Sequence, residues 1–379
     1  MPLALNEEQR MLRDTAREFL QSNAPVSLVR ELRDANDSHG YSQGLWQQMI
    51  EMGWPAVAIP EAYDGLGFGY LGAGAILEEA GKSLAHSPFF STVALGAAAI
   101  NLAGSDAQKS EWLPKIAAGE MTLALAHDES NHHDPAQVAL IASSDGDSLT
   151  LNGKKQFVAE GGVADKLLVT VRTAGDTDEA DGITLVFVDS DAPGISSKNI
   201  TMVDSHNYAD INFDNVVVPN SAIIGEVGNA YTTIDKVLDY GRICLAAEMI
   251  GGAQAMLDKT IEYLKDREQF GRKIGSFQAL QHRAAKMFAE LEIARSAVVA
   301  GLSAIDEDSD ELAQLASMAK TLANDTYRLI TDEAVQMHGG IGLTDEMDIG
   351  FYLKRCRICI HSLGDSGFHK DRYAMLQGF

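Results

Sequence analysis

The apolar residues of this chain change their spacing twice, and this change constrains the fold more than any single motif does. Residues 1–120 and the residues after Ala222 carry apolar side chains at helical spacing, whereas the residues between them alternate at period two. Asn6 and Gln9 form a capping-box pair before the first helix, and one long C-terminal stripe ends near Asp266. The spacing predicts an α+β, mainly α-helical chain.

The period-two region contains several short segments rich in β-branched residues, separated by turn residues. Such segments are typical of a small antiparallel β domain. They read TLALA, DSLTLNGKKQFVAE, KLLVTVRT, GITLVFVD and DINFDNVVVP. Asn152 and Gly153 both tolerate positive φ and are flanked by alternating apolar residues, so they predict a hairpin turn. The predicted domains are residues 1–120, 121–221 and 222–379.

Two stretches interrupt the helical regions and are predicted to be loops. The first, EAYDGLGFGYLGAGA at Glu61–Ala75, precedes a helix through Leu77. It lacks the lysine and the strand–turn–helix context of a phosphate-binding loop, so a plain loop is the better interpretation. The second, DEDSDE at Asp306–Glu311, is interpreted as an exposed connection between two helices.

Composition excludes several classes of protein. A formal net charge of −24 at pH 7 argues against nucleic acid and anionic membrane as partners, because both would be repelled. No apolar run reaches the roughly 20 residues of a membrane-spanning helix, and the N-terminus lacks the features of a secretory signal, so we expect a cytoplasmic location. Cys356 and Cys359 lie at helical spacing in a basic run, which favours an ordinary helix over a metal or redox site.

Two C-terminal segments combine an arginine, amides and glycines in a pattern that matches neither a Rossmann nor a P-loop phosphate site. DREQFGRKIGSFQALQHR occupies Asp266–Arg283, and QMHGGIG occupies Gln336–Gly342. Taken separately, each segment also fits a helix end with a surface arginine or a glycine C-cap. Together they predict that a large anionic cofactor is held from more than one side, because guanidinium and amide groups donate to phosphate oxygens.

With LGDSGFHKDRYA at Leu363–Ala374, these motifs resemble the acyl-CoA dehydrogenase family across essentially the whole chain. The resemblance implies an N-terminal helical domain, a middle antiparallel β-barrel domain and a C-terminal four-helix bundle domain. It also implies FAD bound between domains and across a subunit interface, in a homo- or heterotetramer.

The resemblance assigns the cofactor-binding residues. Arg267 is placed against the FAD pyrophosphate, for which a planar guanidinium fork is suited. The adenosine side is lined by Gln269, Phe270 and Gln278, and the neighbouring subunit contributes Gln336, Gly339 and Gly340.

Near the flavin ring the chain departs from the family pattern. Phe157 supplies the expected aromatic, but Ala159 stands where a threonine hydroxyl usually reaches flavin N5. His369 occupies a position that normally helps to hold FAD. The loop AHDESNHHDPAQ replaces a glycine-rich loop, and its adjacent His132 and His133 point in different directions, which disfavours a metal site.

The resemblance also assigns the substrate side and the catalytic base. Asp239, Tyr240 and Arg242 are implied to face the pantetheine and acyl groups. Gly241 replaces the glutamate that some relatives use as the base. Asp365 occupies the more common position of the base, seven residues ahead of an arginine, with one methylene fewer than glutamate.

Asp365 would remove the proton α to the thioester, and enclosure by apolar surface would raise its pKa toward neutrality. Two other interpretations stay open. Asp365 could serve only as a turn residue in Gly-Asp-Ser-Gly, and Glu248, on the apolar stripe, is a rival base.

The predicted function is FAD-dependent α,β-desaturation of an acyl-CoA thioester, with electrons passed to an electron-transfer flavoprotein. One alternative is a weakly catalytic or structural FAD-site subunit of a heteromeric acyl-CoA dehydrogenase. A second alternative is a flavin oxidase or monooxygenase-like relative, which an aspartate in the base position allows. Fatty acyl, steroid and other bulky side chains remain open as substrates.

Overall fold

The computed structural model describes residues 5–379, which divide into two compact units. One unit contains the described residues through Arg30, then Tyr70–Ala85 and Arg242–Phe379, and the other contains Glu31–Gly69 and His86–Gly241. The predicted domain start at residue 1 lies outside the described residues, and the boundaries at 120 and 221 stay predictions. Within the described range, no helix is long and apolar enough to cross a lipid bilayer.

Helices occupy both ends of the described chain. Before the sheet they are α1 Glu7–Asn23, α2 Val26–Ala35, α3 Gln43–Glu51, α4 Gly69–Ser83, a π-helix at Phe90–Ala97, α5 Ala98–Ala103 and α6 Asp106–Ala117. After it they are α7 Tyr231–Asp266, α8 Gln278–Asp306, α9 Leu312–His338, α10 Ile349–His361 and α11 Ser366–Leu376. The predicted capping box is confirmed, since Asn6 and Gln9 exchange backbone-to-side-chain hydrogen bonds of 2.8 and 3.0 Å. A four-helix bundle stays a prediction.

Along the chain, the strands of one mixed sheet follow α6 and precede α7. Its strands are β1 Leu123–Ala126, β2 Ile141–Asp145, β3 Ser148–Ala159, β4 Lys166–Arg172, β5 Ile183–Asp189, β6 Ile195–Thr201, β7 Asn207–Pro219 and β8 Ile223–Ile224. They follow the order β6-β7-β3-β2-β4-β5-β8, with β1 also beside β4.

Both β1 and β2 pair with β4 in parallel, so the prediction of a purely antiparallel domain is wrong. Alternating hydrophobicity indicates which face of a strand is buried, but it does not determine which neighbour the strand pairs with. The path among the described strands ends at β6 and β8, and closure into a barrel stays a prediction.

The Asn152-Gly153 pair lies inside β3, so the hairpin prediction is wrong at this point. Gly153 has φ +144° at a register shift against β7, which marks a β-bulge. A Cβ on Gly153 would stand 2.9 Å from Leu140 Cα, so a close backbone approach requires the glycine. The hairpin turn between β2 and β3 lies instead at Gly146, with φ +61°.

The glycine-rich segment Glu61–Ala75 is not a loop throughout, because α4 already begins at Gly69. Glycines on α4 and α7 let the two helix backbones touch where they cross. A Cβ on Gly81 of α4 would overlap the carbonyl of Glu248, and Gly251 of α7 meets α4 backbone in the same way. Within the predicted loop, Gly72 and Gly74 belong to α4, and a Cβ on Gly74 would overlap Leu302 Cδ1, so Gly74 also serves helix packing.

The acidic stretch at Asp306–Glu311 is exposed except at Ser309, which is half-buried. The carboxylate of Asp306 accepts hydrogen bonds from the backbone N–H groups of Tyr70 at 2.6 Å and Leu71 at 2.9 Å. Burial raises the pKa of Asp306, and these two hydrogen bonds act in the opposite direction. Asp306 therefore caps the N-terminus of α4 from the end of α8. It is exposed as predicted, but it is the last residue of α8 and does not lie in the loop.

Candidate active site

A short hairpin follows α7 and presents an aromatic side chain to solvent. Its strands, β9 Glu268–Gln269 and β10 Arg272–Lys273, are joined by Phe270 and Gly271, both with positive φ. The Phe270 side chain is 88% exposed, and its ring meets the edge of Phe277 at 6.1 Å between centroids. Such exposure of an aromatic is typical of a surface that a ligand or another subunit covers.

Arg267 links α7 to this hairpin and is exposed. Its backbone is held on both sides, with its N–H donating to Tyr263 and its carbonyl accepting from Ile274, each at 2.9 Å. Within residues 5–379 its guanidinium has no carboxylate partner. An exposed, unneutralised guanidinium suits a phosphate group. Gln269 and Gln278 are also exposed beside it.

The C-terminal end of α9 forms a second open segment. Gln336 is exposed, Gly339 has φ +64°, and a Cβ on Gly339 or Gly340 would meet no atom within 4 Å. The backbone is therefore open to a close approach by a ligand. His338 is buried, and its ring stacks on Tyr263 at 4.3 Å between centroids. Because its ring stacks on Tyr263, His338 packs the ends of α7 and α9 together. Burial lowers the pKa of His338.

Phe157 lies in a bulge of β3. The register against β7 shifts between Lys155 and Val158, and Phe157 has φ +52° with its side chain 40% exposed. A left-handed conformation is costly for a bulky residue and often marks a functional position. The bulge therefore turns the aromatic ring outward, as a site for a planar ligand requires. Ala159, two residues later, pairs with Tyr208 in the sheet.

Asp365 is the N-cap residue of α11. Its Oδ1 accepts a hydrogen bond from the backbone N–H of Phe368 at 2.9 Å, and its side chain is exposed. The apolar enclosure expected around this carboxylate is therefore not provided within the described chain. Capping uses one carboxylate oxygen and leaves the other available, so the turn role and the base role are compatible.

Buried side-chain donors hold the turn that precedes Asp365. Leu363 has φ +59° and Gly364 has φ +104°. The Leu363 carbonyl accepts hydrogen bonds from Arg242 Nε at 3.3 Å and His369 Nε2 at 3.1 Å. Both donor side chains are fully buried. Contact of Arg242 with substrate and of His369 with the cofactor both stay predictions. No motif in the sequence indicated that these two residues hold the turn.

Other polar residues of α7 are also buried. Asp239 and Tyr240 belong to α7, and both side chains are buried. Glu248 forms a two-point ion pair with Arg355 of α10, with Oε1 to Nε at 2.7 Å and Oε2 to Nη2 at 3.0 Å. A carboxylate whose oxygens are both committed to a guanidinium is a poor general base, which argues against Glu248 in that role.

Lys155 anchors the loop that follows β1, and sequence reasoning missed it. Its fully buried Nζ donates to His127 O at 2.9 Å, Glu129 Oε1 at 2.7 Å and Thr170 Oγ1 at 2.9 Å. Burial lowers the pKa of Lys155 to about 8. The sequence could have indicated this role, because Lys155 lies at an inward position of an alternating strand and a buried charge requires hydrogen-bond partners.

Comparisons with known proteins decide the family. Family models for the acyl-CoA dehydrogenase N-terminal, middle and C-terminal domains match residues 6–120, 124–216 and 231–375. The 3-(aryl)acrylate reductase of Clostridium sporogenes is 31% identical across 90% of this chain and 91% of its own length. The chain belongs to the acyl-CoA dehydrogenase family. It is therefore a FAD-dependent oxidoreductase that acts on CH–CH groups of acyl-CoA.

Two further known proteins are similar to this chain over nearly their full length. Subunit CarC of the caffeyl-CoA reductase-Etf complex from Acetobacterium woodii is 29% identical over 93% of both chains. The butyryl-CoA dehydrogenase structure from Megasphaera elsdenii has a TM-score of 0.92 and 26% identity, and covers 100% of each chain. The exposed Arg267 and the open Gly339–Gly340 backbone fit the pyrophosphate cofactor of this family.

Proposed function

We propose that this chain desaturates an acyl-CoA thioester between its α and β carbons, with Asp365 as the base that removes the α proton. The observation that carries the proposal is an exposed carboxylate at the end of a turn held by buried donors. Oδ1 caps α11, and Oδ2 is the atom proposed to take the proton. FAD, when bound, accepts the hydride that leaves the β carbon.

An exposed aspartate is a weak base, so we propose that the substrate completes its surroundings. An acyl chain lying over Asp365 would displace water and supply the apolar surface that the described chain lacks. Loss of hydration makes a carboxylate a stronger base, because water no longer stabilises its charged form. The same chemistry in reverse delivers a proton to an enoyl-CoA, so the electron partner sets the direction of the reaction.

The remaining site residues are proposed to position cofactor and substrate. Arg267 holds the pyrophosphate, and Phe157 lies over the flavin, where Ala159 leaves one hydrogen bond to the ring unmade. Asp239, Tyr240 and Arg242 support the substrate side from α7. The adenosine end is held by Gln269, Phe270 and Gln278, and by Gln336, Gly339 and Gly340 of a neighbouring subunit.

Assembly into a tetramer is part of the proposal, with the C-terminal helices as a four-helix bundle and the sheet closed as a barrel. Exposed apolar side chains flank both cofactor segments: Phe270 is 88% exposed, Leu343 78% and Ile341 39%. A second subunit would cover them. We propose an electron-transfer flavoprotein as the electron partner, which is supported by the similarity to a subunit of an Etf complex.

The test is an anaerobic titration of the chain purified alone. Straight-chain, branched, arylpropanoyl and steroid side-chain CoA thioesters are added in turn, with free CoA as the control, while flavin absorbance is recorded. Bleaching by any thioester supports the dehydrogenase. A colourless protein that gains flavin only with a second chain would instead indicate a heteromeric subunit, and substrate-dependent peroxide formation in air would indicate an oxidase.

Replacing Arg267 tests the cofactor side. We expect Arg267→Gln to weaken FAD binding about 10- to 100-fold, because a hydrogen bond to a charged group contributes about 1.5–3 kcal/mol. The dissociation constant is measured by quenching of FAD fluorescence with the apoprotein. Arg272→Gln is the matched control on the same hairpin, since its guanidinium lies 4.0 Å from the centroid of the Phe277 ring. An unchanged constant for Arg267→Gln would remove this residue from the site.

A further inference from the structure

Lys320 is a fully buried lysine of α9 that neither the sequence motifs nor the proposed reaction uses. Its Nζ donates three hydrogen bonds: to Asn324 Oδ1 at 2.7 Å, to Cys359 O at 2.8 Å and to Gly364 O at 3.2 Å. Asn324 lies on the same helix, Cys359 on α10, and Gly364 in the turn that leads to Asp365. One ammonium therefore joins two helices to the turn.

The donors and acceptors at Lys320 match in number. An ammonium has three N–H donors and no acceptor, and three oxygens surround it. A buried charge is tolerated only when its hydrogen bonds are made, and burial lowers the pKa of Lys320 to about 7. A buried titratable group with a shifted pKa, such as Lys320, is more frequent at functional positions than elsewhere.

The turn itself requires external support. Leu363 is a non-glycine residue at positive φ, a conformation that costs about 1–3 kcal/mol and persists only when the surroundings enforce it. Arg242 and His369 hold the Leu363 carbonyl, and Lys320 holds the next carbonyl, that of Gly364. Two consecutive carbonyls immediately before Asp365 are therefore fixed by buried donors.

The residue after Asp365 is tied to the same helix. Ser366 Oγ donates to Asp325 Oδ1 at 2.9 Å, and Asp325 follows Asn324 on α9. Lys320 and Asp325 of α9 thus contact the residues on either side of Asp365, Gly364 through its carbonyl and Ser366 through its hydroxyl. Besides burial, the ionisable groups that act on the pKa of Lys320 are Cys359, Arg242, Cys356 and Asp365, of which Arg242 lowers it and the other three raise it.

We propose that Lys320 is a positioning residue for the Asp365 base: by holding the Gly364 carbonyl, its ammonium determines where the carboxylate stands at the start of α11. This inference rests on the proposed role of Asp365. The side chain of aspartate is short, so whether it reaches the substrate depends on where its backbone lies. Lys320 of α9 fixes that backbone through the Gly364 carbonyl.

The test replaces Lys320 with methionine, which has a similar length and no donor. We expect the rate of flavin bleaching at saturating acyl-CoA to fall about 10- to 100-fold, because misplacement of a base by about 1 Å costs on the order of a hundredfold. The half-saturating substrate concentration and the FAD content are expected to stay unchanged. Amide hydrogen exchange across residues 362–370 is expected to accelerate by at least about tenfold.

Two further variants make the test specific. Lys320→Gln keeps a polar group that is too short to reach Gly364, so the same losses are expected if the methionine variant does not fold. Lys155→Met is the matched control, because Lys155 is also fully buried with three acceptors but lies in the other compact unit. It is expected to accelerate exchange near Glu129 and to leave residues 362–370 as in the wild type.

Exchange at residues 362–370 that matches the wild type in both Lys320 variants would overturn the proposal. So would a rise in half-saturating substrate concentration with an unchanged maximal rate. In an Asp365→Asn background, Lys320→Met is expected to add no further loss of rate. If Asp365→Asn itself keeps full activity, the proposed base is wrong, whereas the exchange measurement still reports whether Lys320 holds the turn.

Discussion

Asp365→Asn is expected to slow flavin bleaching by acyl-CoA by about 10²- to 10⁴-fold, the usual contribution of a general base. Asparagine is as good an N-cap residue as aspartate, so it can still accept from the Phe368 N–H, and α11 is expected to keep its start. FAD content and thermal stability should therefore match the wild type. The measurement is anaerobic stopped-flow absorbance at saturating substrate.

Two controls make the Asp365 result interpretable. Asp371→Asn removes an exposed carboxylate from the same helix and is expected to leave the rate unchanged. Asp365→Glu keeps a carboxylate but moves it by about one bond length, so it is expected to lose about 10- to 100-fold in rate, less than Asp365→Asn. A rate for Asp365→Asn within twofold of the wild type would show that the proton goes to another group.

The second large effect is expected at the Glu248–Arg355 ion pair, whose side chains are only 14% and 9% exposed. Glu248→Leu is expected to lower the free energy of unfolding by about 3–5 kcal/mol, because it removes the carboxylate that forms the two-point ion pair with the buried Arg355 guanidinium. Replacing both residues with leucine is expected to recover most of that loss, since the buried guanidinium is removed together with the carboxylate. Denaturant unfolding followed by circular dichroism measures both values.

An exposed ion pair between α9 and α10 is the control. Arg357 and Asp332 are 50% and 53% exposed, so Asp332→Asn is expected to cost less than about 1 kcal/mol. The milder variant Glu248→Gln is expected to bleach with acyl-CoA at a rate within about tenfold of the wild type. A loss as large as that of Asp365→Asn, in a variant that remains folded, would make Glu248 the base.

Much of the fold follows from local patterns. The period of apolar residues predicted the long helices, including the end of α7 at Asp266, and the pair Asn6 and Gln9 predicted the start of α1. Strand direction was mispredicted because alternation does not specify pairing partners. Gly153 and the glycines of α4 were misinterpreted because a glycine required for close packing resembles one required for a turn until the neighbouring backbone is known.

The sequence by itself determined the class of this protein and predicted its cofactor side. Arg267 and the Gly339–Gly340 pair are recognisable because each acts within a short, contiguous segment. Only the tertiary structure showed how the proposed base is held. Arg242, Lys320 and His369 are distant in sequence, and they donate to backbone carbonyls, which every residue carries. No spacing rule or residue type identifies such partners, so packing of the C-terminal helices decides where Asp365 stands.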